Sequence, residues 1–312
     1  MSEPQISSDV AVVNPSDIDT VTLPDTCPPL TVRSFGLTDL GKVRETNQDQ
    51  LLIAVLVKAL QVERTSLPQP NVQQSSDRSH LFVVADGMGG HAGGEKASAL
   101  AIDSVESFVL ETFKWFAHCK SKEQDQVMAD FQRALGHVHA RILAEAAERP
   151  ELRGMGSTLT LAYSLNDELF VAHVGDSRCY LCRHGVLHRL TRDHSLVAEM
   201  VRHGTIPAEQ AVHHRLRHVI TNAVGGNSPE VTVEVHKVHL EGGDRVLLCS
   251  DGLTNMVPEE EIKHFLQTET QPEQACRRLV ACANKAGGKD NITVVVAHFR
   301  RARRLEMARS RN

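Results

Sequence analysis

Two long runs with a helical period stand next to each other in the middle of the chain, with short runs rich in Val, Leu, Ile and Thr on both sides. No other feature constrains the fold as strongly. In the first run Ala97, Ala101, Val105, Phe108, Val109 and Phe113 recur at helical spacing from Glu95 on. In the second, Val127, Phe131, Leu135, Val138 and Ile142 do so from Glu123 on. Each predicts an amphipathic helix, and the two are expected to pair as a hairpin with apolar faces inward. Strand-like runs are read at 51–55, 81–85, 158–163, 169–174, 231–238, 245–249 and 292–297. The 231–238 run alternates, which predicts one face in the core and one toward water. A second helix pair is expected at 258–266 and 272–286, each with proline in its first turn, the later one ended by Gly287 and Gly288. This order is not a repeating βα unit. It predicts an α+β fold in which helices cover the outer faces of two sheets.

A chain of 312 residues has the length for a full core. Its net charge of -5 is too mild to indicate a polyanionic partner, so nucleic acid is not expected. No apolar run reaches about 18 residues, so no membrane span is expected. The opening MSEPQISSDV lacks the basic and apolar parts of a secretory signal. A cytoplasmic location follows, and the seven cysteines read as free thiols. Cys179 and Cys182 form a C-x-x-C, but AHVGDSRCYLCR reads as a strand and no second C-x-x-C exists, so a structural role is preferred to zinc.

Residues 1–30 are polar, proline-bearing and aperiodic, and read as a disordered arm. Residues 300–312 form a basic tail containing Arg303, Arg304, Arg309 and Arg311, read as a solvated tail, with an anchor for an acidic partner as the alternative. Between them, 58–80 reads as a surface loop and 195–222, rich in His and Arg, as a mobile flap.

The chemistry is foreshadowed by aspartates at the ends or starts of strands. VVADGMGGHAGGE places Asp86 at the end of an apolar run, followed by Gly87, Gly89 and Gly90, which let the main chain approach a ligand. An ordinary Asp-Gly turn would look the same. The pattern recurs at Asp251-Gly252, and Asp176, Asp290 and Asp49 also flank strand-like runs. Five gathered acids would repel unless cations compensated them. Oxygen-only donors suit Mg²⁺ or Mn²⁺ rather than zinc. Spacing alone leaves their convergence open. Asp193-His194-Ser195 is not read as a hydrolytic triad, because triads assemble from residues apart in sequence. Arg178 is read as a structural ion-pair partner, and His213 and His214 as surface residues.

Six motifs in order give the chain a resemblance to the metal-dependent protein phosphatases of type 2C, in their bacterial form. They are Arg44-x-x-Asn47-x-Asp49, Asp86-Gly-Met-Gly-Gly-His91, Gly154-Met-Gly-Ser-Thr158, Gly175-Asp-Ser-Arg178, Ser250-Asp-Gly252 and Lys289-Asp-Asn291. The resemblance spans roughly Leu30 to Phe299 and delimits a catalytic domain at 31–299. It implies a four-layer αββα sandwich, two mostly antiparallel sheets between helix pairs, with metals in a channel at one edge. It implies that Asp86 bridges two Mn²⁺ or Mg²⁺ ions, with Asp251 and Asp290 completing one shell. The Gly87 carbonyl would serve the other, helped by Asp49 through water. Asp176, with Asp251, would hold a weaker third ion. Arg44 would grip the substrate phosphate, which its fork of donors suits. The implied reaction is hydrolysis of phosphoserine and phosphothreonine esters in proteins by an activated water, without a phospho-enzyme. Serine/threonine kinases of the same cell are the implied partners.

Two departures stand out. Some members carry a general-acid histidine directly after the first Asp-Gly, where this chain has Met88, and His91 has an equal reading as an anchor of the glycine turn. Gln48 stands where relatives often have glutamate. Two other functions are compatible with the fold: a non-enzymatic binding module, against which Asp86, Asp251 and Asp290 speak, and a phosphatase of small metabolites using the same site.

Overall fold

The computed structural model describes residues 29–61, 72–112, 121–211 and 214–301. The expected arm at 1–28, most of the basic tail and His213 lie outside them. In chain order the strands are β1 (Leu30–Asp39), β2 (Asp49–Gln61), β3 (Val72–Met88), β4 (Gly156–Ser157), β5 (Leu159–Leu165), β6 (Glu168–Val174), β7 (Arg178–Arg183), β8 (Val186–Arg189), β9 (Val224–Gly225), β10 (Glu234–His239), β11 (Arg245–Cys249) and β12 (Ile292–Arg301). The helices are α1 (His91–Thr112), α2 (Ser121–Glu148), α3 (Leu196–Arg202), α4 (Ala208–Ala211), α5 (Asp251–Thr254), α6 (Glu259–Thr268) and α7 (Pro272–Lys285).

The strands form two antiparallel sheets. One runs β1-β12-β11-β7-β8 and the other β10-β6-β5-β3-β4-β9, with β2 paired to β3. Alternation along each strand builds the layers. In β3, Leu81, Val83 and Ala85 pack with α1 and α2, while Phe82 and Val84 face the other sheet. In β12, Ile292, Val294 and Val296 pack with α5–α7, while Val295, Ala297 and Phe299 face inward. Strands covered on both faces read as nearly continuous apolar runs, and all seven residues of β5 are buried. The result is the expected αββα sandwich. The α1–α2 hairpin forms as its periodicity predicts, with Val105, Val127, Phe131 and Leu135 all buried in one cluster. Truncating Phe131 would cost about 3–5 kcal/mol.

Several local expectations change. The 58–80 loop is largely absent: β2 runs to Gln61 and β3 starts at Val72, leaving 62–71 outside the described residues. AHVGDSRCYLCR is two strands in different sheets, because Gly175 at φ 113° ends β6 and redirects the chain into β7. The 231–238 strand starts three residues late, at Glu234, and neither face is simply wet. Val231, Val233 and Val235 pack toward the helices, while Glu234 and His236 face each other's polar atoms beside β6. Strand β1 was not anticipated. It pairs along its whole length with β12, at the far end of the described chain, and its own pattern is diluted by Arg33, Ser34 and Gly36. Arg300 and Arg301, read with the tail, are the last residues of β12. Cys179 and Cys182 face opposite sides of β7, in separate clusters, so they share no metal; both are free and buried.

Candidate metal centre

The topology carries the five aspartates to one end of the sandwich. Asp49 opens β2 and Asp86 lies near the end of β3, and the antiparallel register sets them directly opposite. Like charges so placed repel. Asp251 follows the last residue of β11 by two positions and opens α5, Asp290 precedes β12 by two, and Asp176 sits in the turn between β6 and β7. β11 pairs with both β12 and β7, and Cys249 lies opposite Val294 and Arg178, so these three turns meet. Asp86, Gly87, Asp176, Asp251, Asp290 and Arg44 line one cavity of about 1520 Å³. Asp49 lies beneath, almost wholly buried, with Oδ2 accepting from Ser250 Oγ at 2.7 Å.

The electrostatics show the convergence. Burial raises the Asp86 carboxyl well above the usual range, and the charges of Asp49, Asp251, Asp176 and Asp290 add to the shift. Asp251 is raised by burial and then by Asp176, Asp290 and Asp49. Asp49 is pushed up to about 6, mainly by burial, with the Ser250 hydrogen bond opposing. Asp176 is also pushed up to about 6, by burial and then by the Asp193 charge. Oδ1 of Asp49 and Oδ1 of Asp176 are buried without a hydrogen-bond partner. Such a site, acidic, oxygen-only and under mutual repulsion, fits hard divalent cations.

Arg44 Nη2 donates to Asp290 Oδ2 at 2.7 Å, and its side chain is half exposed. The Asp290 hydrogen bond raises the Arg44 pKa, with the charges of Asp290, Asp86 and Asp251 acting in the same direction. Its loop is held by Asn291, whose Oδ1 accepts from Gln48 N at 2.9 Å and whose Nδ2 donates to the carbonyls of Leu40 and Thr46, each at 3.0 Å.

The glycines after the acids also have a packing role. A Cβ on Gly87 would stand 2.0 Å from the Gly94 carbonyl oxygen, and one on Gly252 would stand 1.9 Å from that of Asn291. Here backbone meets backbone, which fixes the strand ends that carry the acids. The polar residues of the third motif do the same for Asp86. Thr158 N donates to the Asp86 carbonyl at 2.8 Å, Asp86 N donates to Thr158 Oγ1 at 3.0 Å, and Ser157 Oγ donates to the Asp86 carbonyl at 2.9 Å. Sequence reasoning gave Ser157, Thr158, Ser250 and Asn291 no individual role. Their only signal was their place inside the motifs.

Arg178 is the ion-pair residue expected. It grips both oxygens of Asp193 at 2.9 and 2.7 Å. Burial pushes Asp193 up, but the Arg178 and Arg189 charges and the Arg178 hydrogen bonds hold it at about 2. Asp193 is thereby engaged, and no triad forms. His214 accepts from Leu216 N at 3.2 Å, and the His91 side chain lies outside the described residues.

One other ligand-like group exists among the described residues: His173, His194 and Glu234. Its hydrogen bonds argue against a metal. His194 Nδ1 accepts from Gly175 N at 3.1 Å and Asn222 Nδ2 at 3.0 Å, so the proton sits on Nε2, which faces Glu234. His173 donates from Nε2 to the Arg192 carbonyl at 3.0 Å and accepts at Nδ1 from Thr160 Oγ1 at 2.9 Å. Neither Nε2 offers a lone pair.

A family model described as "Protein phosphatase 2C" matches residues 69–292. The chain is 33% identical over 259 residues to a protein named serine/threonine phosphatase stp from Listeria innocua, covering 83% of this chain and 92% of that one. It is 39% identical over 269 residues to serine/threonine protein phosphatase PstP from Mycobacterium tuberculosis, covering 86% of this chain and 45% of that one. The solved catalytic domain of a protein phosphatase named PstP, in complex with 2 manganese ions, superposes with TM-score 0.67 at 32% identity, covering 87% of this chain and 99% of that one. An αββα sandwich with an acid cluster at one end and an arginine beside it thus defines a metal-dependent phosphatase class. The chain belongs to the protein phosphatase 2C family.

Proposed function

We propose that the chain hydrolyses phosphoserine and phosphothreonine esters in proteins, with Mn²⁺ or Mg²⁺ held by the aspartate cluster. The observation that carries this reading is the gathering of five aspartates from five separate segments of the chain into one end of the sandwich, beside Arg44. Asp86, reached by the charge of every other acid in the cluster, would be the ligand shared by both ions in this reading. Asp251 and Asp290 would help hold one ion, the Gly87 carbonyl and Asp49 would help hold a second, and Asp176 with Asp251 would offer a weaker third site. The chemistry that bound divalent cations supply is a water acidified toward neutral pH and positive charge facing the phosphoryl oxygens.

Arg44 binds the phosphoryl group through its fork of donors. Its present partner is Asp290 Oδ2, and because Asp290 would also hold a cation in this reading, Arg44 would be freed to face substrate if that oxygen were taken up by the ion. In the reaction the bond from phosphorus to the serine or threonine oxygen breaks, and one to the water oxygen forms. The leaving oxygen gains a proton, and the products are the hydroxyl side chain and inorganic phosphate. Met88 carries no titratable proton and is not the acid. No side-chain nucleophile is required, so no phospho-enzyme forms.

In this reading residues 31–299 are the catalytic domain, 195–222 the substrate-facing flap, and the arm and tail are accessory. Serine/threonine kinases and their substrates are the natural partners. The cytoplasm fits the five described free cysteines, and no described helix is long and apolar enough to cross a membrane. Purified protein with Mn²⁺ is expected to hydrolyse p-nitrophenyl phosphate and a phosphothreonine peptide, and faster on peptides than on sugar phosphates. Failure on both of the first two substrates sinks the reading. Equal or better rates on sugar phosphates would move it to small metabolites.

A further inference from the structure

The cavity above the acid cluster is larger than a phosphoryl group needs. At about 1520 Å³ it continues past Arg44 to the inner side of the 195–222 segment. Small-ligand pockets hold about 300–1,000 Å³, so a stretch of polypeptide has room here. The charge changes sign along it. The deep end carries the aspartates, and the flap end carries arginines of two kinds.

Arg178, Arg189 and Arg192 have acid partners: Asp193 at 2.7 and 3.8 Å for the first two, and Glu234 at 3.9 Å for the third. Arg202, in the last turn of α3, and Arg217 line the same cavity, yet neither has a carboxylate within ion-pair distance among the described residues. Arg217 is half-buried, and its charge acts on the neighbouring His218, which also feels Asp290 and Arg44. Arg217 and His218 line the same cavity as Arg44 and Asp290, so the end of the flap faces the phosphate-facing side of the site. Arg202 is exposed and Arg217 half-buried, and an unpartnered guanidinium at the wall of a polypeptide-sized cavity has a fork of donors that suits carboxylate or phosphate.

We propose that Arg217, with Arg202, forms a second anion subsite. It selects phosphoproteins that carry a further negative group, an acidic side chain or a second phosphate, within a few residues of the scissile ester. The inference rests on the protein phosphatase reading.

The test compares kcat/KM on three phosphothreonine peptides, flanked by neutral residues, by glutamates, or by a non-hydrolysable phosphonate. The wild type is expected to favour an anionic flank by about tenfold, mainly through KM. That preference should shrink as salt rises. In the Arg202→Ala/Arg217→Ala double variant the ratio falls to about one, and Arg217→Lys keeps part of it. Whether the glutamate or the phosphonate peptide gains more identifies the source of the anion. Thermal melting of each variant confirms folding, and single Arg202→Ala and Arg217→Ala variants replace the double one if it fails to fold. A wild-type ratio near one, or a ratio unchanged in the variants, overturns the proposal. If the wild type turns over no peptide, the phosphatase reading alone has failed. The same ratios measured as equilibrium binding by fluorescence anisotropy then decide the subsite.

Discussion

Two buried charged regions of this molecule differ in one respect. Around Arg183 the charges are matched: its guanidinium donates to both oxygens of Asp244 at 3.0 and 2.6 Å, and Glu241 lies 3.3 Å from Nη1. The Arg178–Asp193 pair is matched in the same way. At the end of the sandwich, Asp49, Asp86, Asp176 and Asp251 are raised, first by burial and then by neighbouring carboxylates, and the nearby guanidiniums are Arg44, on Asp290, and Arg178, already paired with Asp193. Matched buried charges hold a fold together at modest net gain. Unmatched ones are kept at a cost to stability, and they mark where the chain binds something of opposite sign. The His173–His194–Glu234 group has the residue types of a metal site, but its hydrogen bonds place it with the matched regions.

Neutralising one acid in each region separates them most widely. Asp251→Asn is expected to lower kcat/KM by about 10²–10³-fold or more with the fold intact. Asp244→Asn leaves Arg183 short of a partner in a buried setting. Stability should fall by roughly 3 kcal/mol, the low end for a broken buried pair because Glu241 remains. That is a drop of about 6–12 °C in Tm for a domain of this size, with kcat of the folded fraction retained. If both variants lose stability and keep activity, the distinction collapses.

A smaller effect sharpens the contrast through pH. Asp49 takes up its proton at about 6 in the native state and at 3.8 in the unfolded one. Above about 6 the metal-free protein carries a buried, ionised Asp49 that opposes folding. As pH falls from about 6 to 3.8 the native state holds a proton that the unfolded state has released, so this penalty fades. Metal-free Asp49→Asn should therefore melt several degrees above the wild type at pH 7.5, with the gap closing toward pH 4. A gap that is constant with pH, or of opposite sign, would show that burial does not raise this acid in the native state.

Local patterns made most of the fold readable. The α1–α2 hairpin, the α6–α7 pair and the central strands follow from periodicity, because each buries a face its own spacing defines. Strand β1 and the long β2–β3 hairpin were missed for a different reason. Their stability comes from partners distant in sequence, or from pairing that outlasts the apolar pattern, as in the polar start of β3. At the site, the acids could be singled out by their position at strand ends, but not shown to meet. Their meeting depends on sheet register, such as Asp49 opposite Asp86. The supports for the acids, Thr158 to the Asp86 backbone and Asn291 to the Arg44 loop, depend on the same register.

The central claim is that the unmatched aspartates are a divalent-metal site. A crystal soaked in Mn²⁺ and measured by anomalous scattering at the manganese edge tests it most directly. Two peaks about 3.5–4 Å apart, both bonded to Asp86 and with Asp251 and Asp290 on one of them, are predicted. No peak at Asp86, or a stronger one between His173, His194 and Glu234, would contradict it.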